Sequence, residues 1–317
     1  MQHHVLTIGI AGIGQMGCSA AVAFQRAGHR VLLWARNVER LRAVQSKTDD
    51  LLKWSESHLG PAPRLGGSIL FEEDLHCLDA ESDVFLDCIL EVLDEKIALF
   101  RQLTLAQQRG ALLLSATSGL SITQMGQGAG CEALLVGAHF WNPPHLIPVV
   151  EMVVGEKTPD AMFERAYDLM VDIGKIPVRC RDVPGFIGNR LMHAMWREAL
   201  SLVDAGVCTA TEIDRIVKLT FALRLSSLGP MENMDLVGLD AVQRIHRYLL
   251  PELAENTTPA DCLDARVSAG QLGMRSGQGF YNWSQRDAEQ VIRNRDLLIV
   301  RQLEVLRELG ELGSGTK

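Results

Sequence analysis

The sequence predicts an α/β protein, with a doubly wound, mostly parallel sheet in its N-terminal part and an all-helical C-terminal part. Three observations carry this reading. Short apolar runs alternate with amphipathic segments as successive βα units do, and the first run closes on a glycine turn. From Phe186 onward, helical apolar spacing replaces strand-like runs. At 317 residues the chain is long for one core, so two domains are expected, 1–183 and 184–317, meeting near Val183 in Arg181-Asp182-Val183-Pro184-Gly185.

The first strand, Leu6 to Ala11, runs into Gly12, Gly14 and Gly17 in G-x-G-x-x-G spacing and then into a helix over Cys18 to Ala27, with Gly28 at its end. Gly12 permits the tight turn, Gly14 lets a pyrophosphate approach the backbone, and Gly17 lets the helix lie close on the strand. A dinucleotide is the expected ligand of this Rossmann-type unit, held at Gly12, Gly14, Met16 and Gly17. The second strand, Arg30 to Trp34, bears on which dinucleotide. An acid that would bind the ribose 2′-hydroxyl is absent, and Ala35, Arg36 and Asn37 stand there, with Arg40 a turn later. A guanidinium can pair with a 2′-phosphate, so Arg36 predicts NADP(H) ahead of NAD(H).

Further strands are expected at Val84 to Ile89, Ala111 to Ser115, Leu134 to Ala138 and Ile147 to Val154. Helical periodicity covers Asp94 to Gln108, while Gly60-Pro61-Ala62-Pro63 and Leu65-Gly66-Gly67 mark a loop. Beyond the boundary, helices are expected over Phe186 to Val207, Thr211 to Leu223 and Leu239 to Leu250. A charge-rich tail helix, Arg286 to Leu312, carries Leu297, Leu298, Val300, Leu303, Val305, Leu306 and Leu309 to cover the second domain or a partner subunit.

The composition, 47% apolar and 22% charged, is that of a soluble globular protein. With 31 basic against 39 acidic residues and no basic run, it argues against a nucleic-acid or anionic membrane surface. Seven scattered cysteines without a C-x-x-C pair predict reduced thiols in a cytoplasmic setting and no metal site. No signal-peptide pattern opens the sequence, and the uncharged stretch Gly110 to Cys131 is too interrupted by polar residues and glycines for a membrane span.

Candidate chemistry gathers in Gly137-Ala138-His139-Phe140-Trp141-Asn142-Pro143-Pro144 and Ile147-Pro148-Val149-Val150-Glu151. His139 is expected just past a strand end, where doubly wound sheets bind ligands, and Glu151 on the next strand. A neutral imidazole that takes a proton from an alcohol gains basicity and a fixed tautomer from a carboxylate on its other nitrogen. His145 has no such companion and reads as a structural group. Ser115-Ala116-Thr117-Ser118-Gly119-Leu120 brings a hydroxyl to the same sheet edge, and Gly185-Phe186-Ile187-Gly188-Asn189-Arg190 brings an amide.

Together with Ile89-Leu90-Glu91 and Lys96, Leu228-Gly229-Pro230-Met231-Glu232, Asp235-Leu236-Val237-Gly238-Leu239-Asp240 and Gly277-Gln278-Gly279-Phe280-Tyr281, these motifs resemble the L-3-hydroxyacyl-CoA dehydrogenase family over nearly the whole chain. The resemblance implies NAD(P)-dependent hydride transfer between an L-3-hydroxyacyl-CoA and a 3-oxoacyl-CoA. It implies His139 as base, Glu151 as its orienting partner, Ser118 and Asn189 as donors to the reacting oxygen, and Glu91 and Lys96 near the nicotinamide. A helical domain that binds substrate and forms a homodimer is implied in the same way. The chain departs from the family at Ala35, in the shorter and lysine-poor stretch between Ala35 and Ile69, and at Ala116 and Gly119. Those departures keep open the same chemistry on a free L-3-hydroxy carboxylate, as in the related gulonate and carnitine dehydrogenases. A third alternative, a non-catalytic relative of the lens type, has no need of His139, Glu151, Ser118 and Asn189 together.

Overall fold

The sheet of the N-terminal part is wound around β1 (Thr7–Ala11), in a computed structural model that describes residues 4–312. In chain order β1 is followed by β2 (Arg30–Trp34), β3 (Ser68–Glu72), β4 (Val84–Asp87), β5 (Leu112–Ser115), β6 (Leu135–Phe140), β7 (Val149–Val154) and β8 (Ile176–Arg181). The spatial order is β3-β2-β1-β4-β5-β6-β7-β8, so the winding reverses at β1, between β2 and β4. Strands β3 through β6 run parallel, β7 is antiparallel to β6, and β8 is parallel to β7. The inner strands β4, β5 and β6 are buried along their whole length, which is why they read as unbroken apolar runs.

Helices fill the crossovers: α1 (Gln15–Arg26), α2 (Val38–Leu59), α3 (Leu75–Glu81), α4 (Leu93–Gln102), α5 (Thr104–Gln108), α6 (Ile122–Ala129) and α7 (Asp160–Asp172). One apolar cluster, with Phe24, Val31, Leu33, Phe140 and Met170, lies on one side of the sheet. A second, with Leu32, Phe85, Phe100, Leu113 and Phe186, lies on the other. Alternate residues of β2 fall in opposite clusters, as a two-sided sheet requires.

Two strands and two helix breaks differ from expectation; the helix expected over Thr211 to Leu223 ends at Leu219, and a separate short helix begins at Ala222. The edge strands β3 and β8 were not expected, because Ser68–Glu72 is only half-buried and Ile176–Arg181 carries Pro177 and two arginines, a pattern that an edge position tolerates. The single helix expected over Asp94 to Gln108 divides at buried Leu103, where the Asp79 carboxylate accepts the amides of Leu105 (3.2 Å) and Ala106 (2.8 Å) and starts α5 afresh.

The chain divides into two compact units, the first ending at Arg190 and the second beginning at Leu191, within α8 (Gly188–Asp204). The second unit is helical: α9 (Ala210–Leu219), α10 (Ala222–Leu225), α11 (Pro230–Val237), α12 (Leu239–Leu249), α13 (Asp261–Ser268) and α14 (Ala288–Glu308). A Thr209–Glu212 capping box starts α9, and the Tyr281 hydroxyl donates to Asp214 at 2.8 Å on the same helix. Among the described residues of this unit only Ala260, Val300 and Leu303 are buried apolar side chains. No described helix is long and apolar enough to cross a membrane.

The glycine turn is sterically closed at two of its three positions. Gly12 has φ +117°, and a Cβ on Gly17 would collide with the Gly12 carbonyl oxygen. Gly17→Ala is therefore expected to cost about 1–3 kcal/mol through overpacking, read as a lower urea midpoint of the purified chain; an unchanged midpoint would contradict this packing.

Candidate active site

His139 and Glu151 face each other directly across the antiparallel β6–β7 pair. The expectation that His139 lies just past its strand is corrected: β6 continues through Phe140, because β7 supplies ladder partners to that point, and the imidazole is 4% exposed. His139 Nδ1 lies 2.7 Å from Glu151 Oε2. The other carboxylate oxygen, Oε1, accepts the backbone amides of Ile187 and Gly188, each at 2.9 Å, where α8 begins. Glu151 thus occupies the N-terminus of that helix, where a negative charge is favoured. Burial works against its ionisation, yet the hydrogen bonds from His139, Gly188 and Ile187 outweigh burial and hold the carboxyl below its ordinary value. An ionised carboxylate accepts, so Nδ1 carries the hydrogen and Nε2 holds the lone pair.

The local backbone turns sharply to deliver those amides. Gly185 (φ +75°) and Phe186 (φ +51°) are successive left-handed residues, a costly conformation for phenylalanine. Phe186 is 1% exposed and its ring sits 5.7 Å from the His139 ring, which Trp141 flanks at 5.2 Å. A Cβ on Gly188 would strike the Trp141 indole, so the helix start can approach only as glycine.

Ser118 and Asn189 also meet: Asn189 Nδ2 donates to the Ser118 carbonyl at 2.6 Å. The Ser118 amide donates to Glu91 Oε1 at 2.7 Å, and the Thr117 hydroxyl donates to the same oxygen at 2.6 Å. The Ser118 backbone is therefore clamped from two sides, while its exposed hydroxyl makes no hydrogen bond among the described residues. No hydrogen bond joins His139 to Ser118 or Asn189 among the described residues; the segment 185–189 links the two pairs, touching Glu151 through its amides and Ser118 through Asn189.

Behind Glu91 lies a buried acid that sequence reading missed, Asp87. Lys96 donates to Asp87 Oδ2 at 2.8 Å and lies 3.5 Å from Glu91 Oε2. Asp87, fully buried, also accepts the Ser115 hydroxyl (2.7 Å) and the Ile89 amide (3.0 Å). An acid ending a buried apolar strand, nine residues before a lysine, was the available signal. His145 fits its structural reading, 2.7 Å from Ser19 Oγ and edge-on to Trp54. Burial pushes Lys175 down to about 8 while its ammonium donates to the carbonyls of Pro144 and Ile147, fastening the β6–β7 connection.

The glycine turn fits a dinucleotide. A Cβ at Gly14 would meet open space, α1 has no side-chain cap and no acid in its first turn, and its first intrahelical amide is that of Cys18. At the end of β2, Arg36 is paired with Glu95 at 3.1 Å. The Arg40 amide is held by the Asn37 side chain, which caps α2.

Two outcomes follow from the buried acids. Asp87→Asn should cost about 3 kcal/mol by taking from the buried Lys96 ammonium the nearer of its two carboxylates, and adding Lys96→Met should return most of that in urea unfolding; additive losses would contradict the pairing. Because Glu151 is depressed on folding, its contribution is present above the ordinary glutamate range and is lost as pH falls through the folded value. The gap in melting temperature between wild type and Glu151→Gln should therefore be widest near neutrality and narrow below about pH 4.3. A gap constant across that range would refute it.

The sequence family described as 3-hydroxyacyl-CoA dehydrogenase, NAD binding domain, matches residues 7–183, and its C-terminal domain matches residues 185–283. The chain is 31% identical over 312 residues to 5-formyl-3-hydroxy-2-methylpyridine 4-carboxylate 5-dehydrogenase of Mesorhizobium japonicum, covering 96% of this chain and 100% of that one. It is 32% identical over 283 residues to a probable 3-hydroxybutyryl-CoA dehydrogenase of Deinococcus radiodurans, covering 88% and 100%. A crystal structure described as a 5-formyl-3-hydroxy-2-methylpyridine 4-carboxylic acid 5-dehydrogenase, an NAD+ dependent dismutase, superposes with a TM-score of 0.88 at 27% identity, covering 96% of this chain and 99% of that one. These findings support NAD(H) and lend nothing to the NADP(H) preference expected from Arg36. The chain belongs to the 3-hydroxyacyl-CoA dehydrogenase family of NAD-dependent oxidoreductases.

Proposed function

We infer that the protein oxidises the hydroxyl of a 3-hydroxyacyl-type substrate and reduces the corresponding ketone, with His139 as the proton-transferring group. The observation that carries this reading is the 2.7 Å His139–Glu151 contact, which leaves Nε2 as the lone-pair nitrogen. In oxidation Nε2 takes the hydroxyl proton, and in reduction the imidazolium returns it to the oxygen. The charge that appears on His139 forms next to a carboxylate that is already ionised, so the buried site carries a pair and no lone cation. Ser118, with its backbone clamped and its hydroxyl free, is the donor to the substrate oxygen; Asn189 spends one amide hydrogen on the Ser118 carbonyl and has a second to offer. Bound NAD+ supplies the hydride acceptor. Glu91 and Lys96 flank its nicotinamide half in this reading, and Gly12, Gly14, Met16 and Gly17 hold its pyrophosphate.

A CoA thioester and a free hydroxy carboxylate both suit this chemistry, and one observation favours the free acid. Helix α2 carries Arg40, Arg42, Lys47 and Lys53 against Glu39, Asp49, Asp50 and Glu56, so it has no net charge to attract the phosphates of CoA. Over almost its full length, moreover, the chain aligns with a relative named for a pyridine carboxylate.

The helical unit serves in this reading as the homodimerisation element. It exposes Leu236, Leu239, Tyr248 and Leu249 along α11 and α12 and Leu298 and Val305 on α14, while burying few apolar side chains of its own. A second copy of the chain would cover such surface.

Ser118→Ala is expected to lower turnover roughly a hundredfold, the scale of one lost oxyanion donor, with NADH affinity unchanged. The measurement is NADH oxidation with acetoacetyl-CoA, acetoacetate and a formylpyridine carboxylate offered side by side, alongside NADH fluorescence titration. Unchanged turnover on the best substrate would remove Ser118 from the site, and absence of turnover with all carbonyl substrates would overturn the catalytic reading.

A further inference from the structure

We propose that Glu95 sets the preference of this chain for NAD(H) over its 2′-phosphorylated analogue, supplying from α4 the carboxylate that the end of β2 lacks. The proposal rests on the placement of the dinucleotide at the Gly12–Gly17 turn. Strand β1 lies between β2 and β4, with Ala11 in register with Trp34 on one side and Asp87 on the other. The Gly12 amide donates to the Trp34 carbonyl at 2.8 Å, so the glycine turn and the end of β2 are fixed together. In this topology the adenosine ribose comes to the end of β2, where an acid would accept its 2′-hydroxyl.

Among the side chains at this strand end, Ala35 cannot reach a ribose, and the Asn37 carboxamide oxygen is occupied with the Arg40 amide at 2.8 Å. Arg36 is the cation in place to read a 2′-phosphate. Its guanidinium is held instead by Glu95 Oε2 at 3.1 Å. Glu95 stands in the first turn of α4, which follows β4, so this pair joins the β2 side of the crevice to the β4 side across the end of β1.

The pair is exposed, at 68% for Arg36 and 45% for Glu95, and contributes little to stability. Its consequence is local charge. A 2′-phosphate brought to Arg36 must displace a carboxylate and then remain beside it, whereas a ribose diol is neutral and can donate to that carboxylate. Arg36 alone predicts NADP(H); Arg36 neutralised by Glu95 predicts NAD(H).

The test is fluorescence titration of the purified full-length chain with NADH and with NADPH, for wild type, Glu95→Gln, Arg36→Ala and the double variant. Glu95→Gln should tighten NADPH binding about tenfold, the size of one additional charge-assisted hydrogen bond, and weaken NADH binding a few-fold, because the ribose diol then donates to a neutral amide oxygen. Arg36→Ala added to Glu95→Gln should cancel that tightening, because the freed guanidinium is what the phosphate meets. Both positions are exposed, so matching melting temperatures identify folded variants. A ratio of NADH to NADPH affinity that stays within twofold of wild type in Glu95→Gln overturns the proposal while leaving the nucleotide site intact. Wild type that binds neither nucleotide overturns the site reading itself, and the proposal with it.

Discussion

A single buried carboxylate organises the end of the first unit at which His139 lies. Glu151 accepts the His139 imidazole on one oxygen and two backbone amides of the 185–189 segment on the other. Burial disfavours its charge, and a neutral acid could neither hold the hydrogen on Nδ1 nor balance an imidazolium. The start of α8 resolves the conflict by aiming amides and the positive end of its dipole at the carboxylate. Left-handed Phe186 and glycine at 188 are the local consequences, since the chain must reverse and the helix must pass close to Trp141. The strain at Phe186 is held in place by the packing of its ring beside His139.

The cofactor side uses a second buried acid with a different partner. Asp87 ends β4 and fixes Lys96, which approaches Glu91, which in turn holds Thr117 and the Ser118 amide. Polar contacts thus run without interruption from the strand beside β1 to the serine that faces substrate in the proposed reaction. A network of this kind rigidifies only when every member is satisfied, which is why a lysine buried to 1% exposure lies in contact with two carboxylates. Through it, the position of Ser118 is set by the same strand ends that flank the glycine turn.

What the sequence disclosed divides along these physical lines. The central strands were legible because burial on both faces leaves an unbroken apolar run, and the glycine turn because its spacing is imposed by backbone sterics. The His139–Glu151 pairing was legible as two residues on consecutive strands, although the strand proved long enough to include the histidine. Edge strands β3 and β8 escaped notice because β3 is only partly buried along its length and half the residues of β8 are exposed, so neither follows a strict alternation. Asp87, Ser115 and Glu95 escaped because each acts through a contact made distant in sequence or across a turn, and nothing in local composition distinguishes them from ordinary polar residues. Arg36 shows the cost of reading one side chain alone: its charge was visible, its partner on α4 was not.

Chemistry and substrate identity are carried by different parts of this molecule. In the proposed reaction the dyad and the serine demand only a carbinol carbon with a hydroxyl, and nothing in the geometry of His139, Glu151 or Ser118 refers to the remainder of the substrate. The proposed chemistry is thus compatible with a CoA thioester and with a small carboxylate, the two kinds of compound for which relatives of the chain are named. Discrimination has to come from surfaces that meet the remainder of the substrate, and there charge decides, because CoA brings several phosphate charges and a small carboxylate brings one. Helix α2, with four basic and four acidic residues, carries no net charge to attract those phosphates, so in the proposed reading a thioester would have to be recognised through other residues, whereas a small acid would require a single cation.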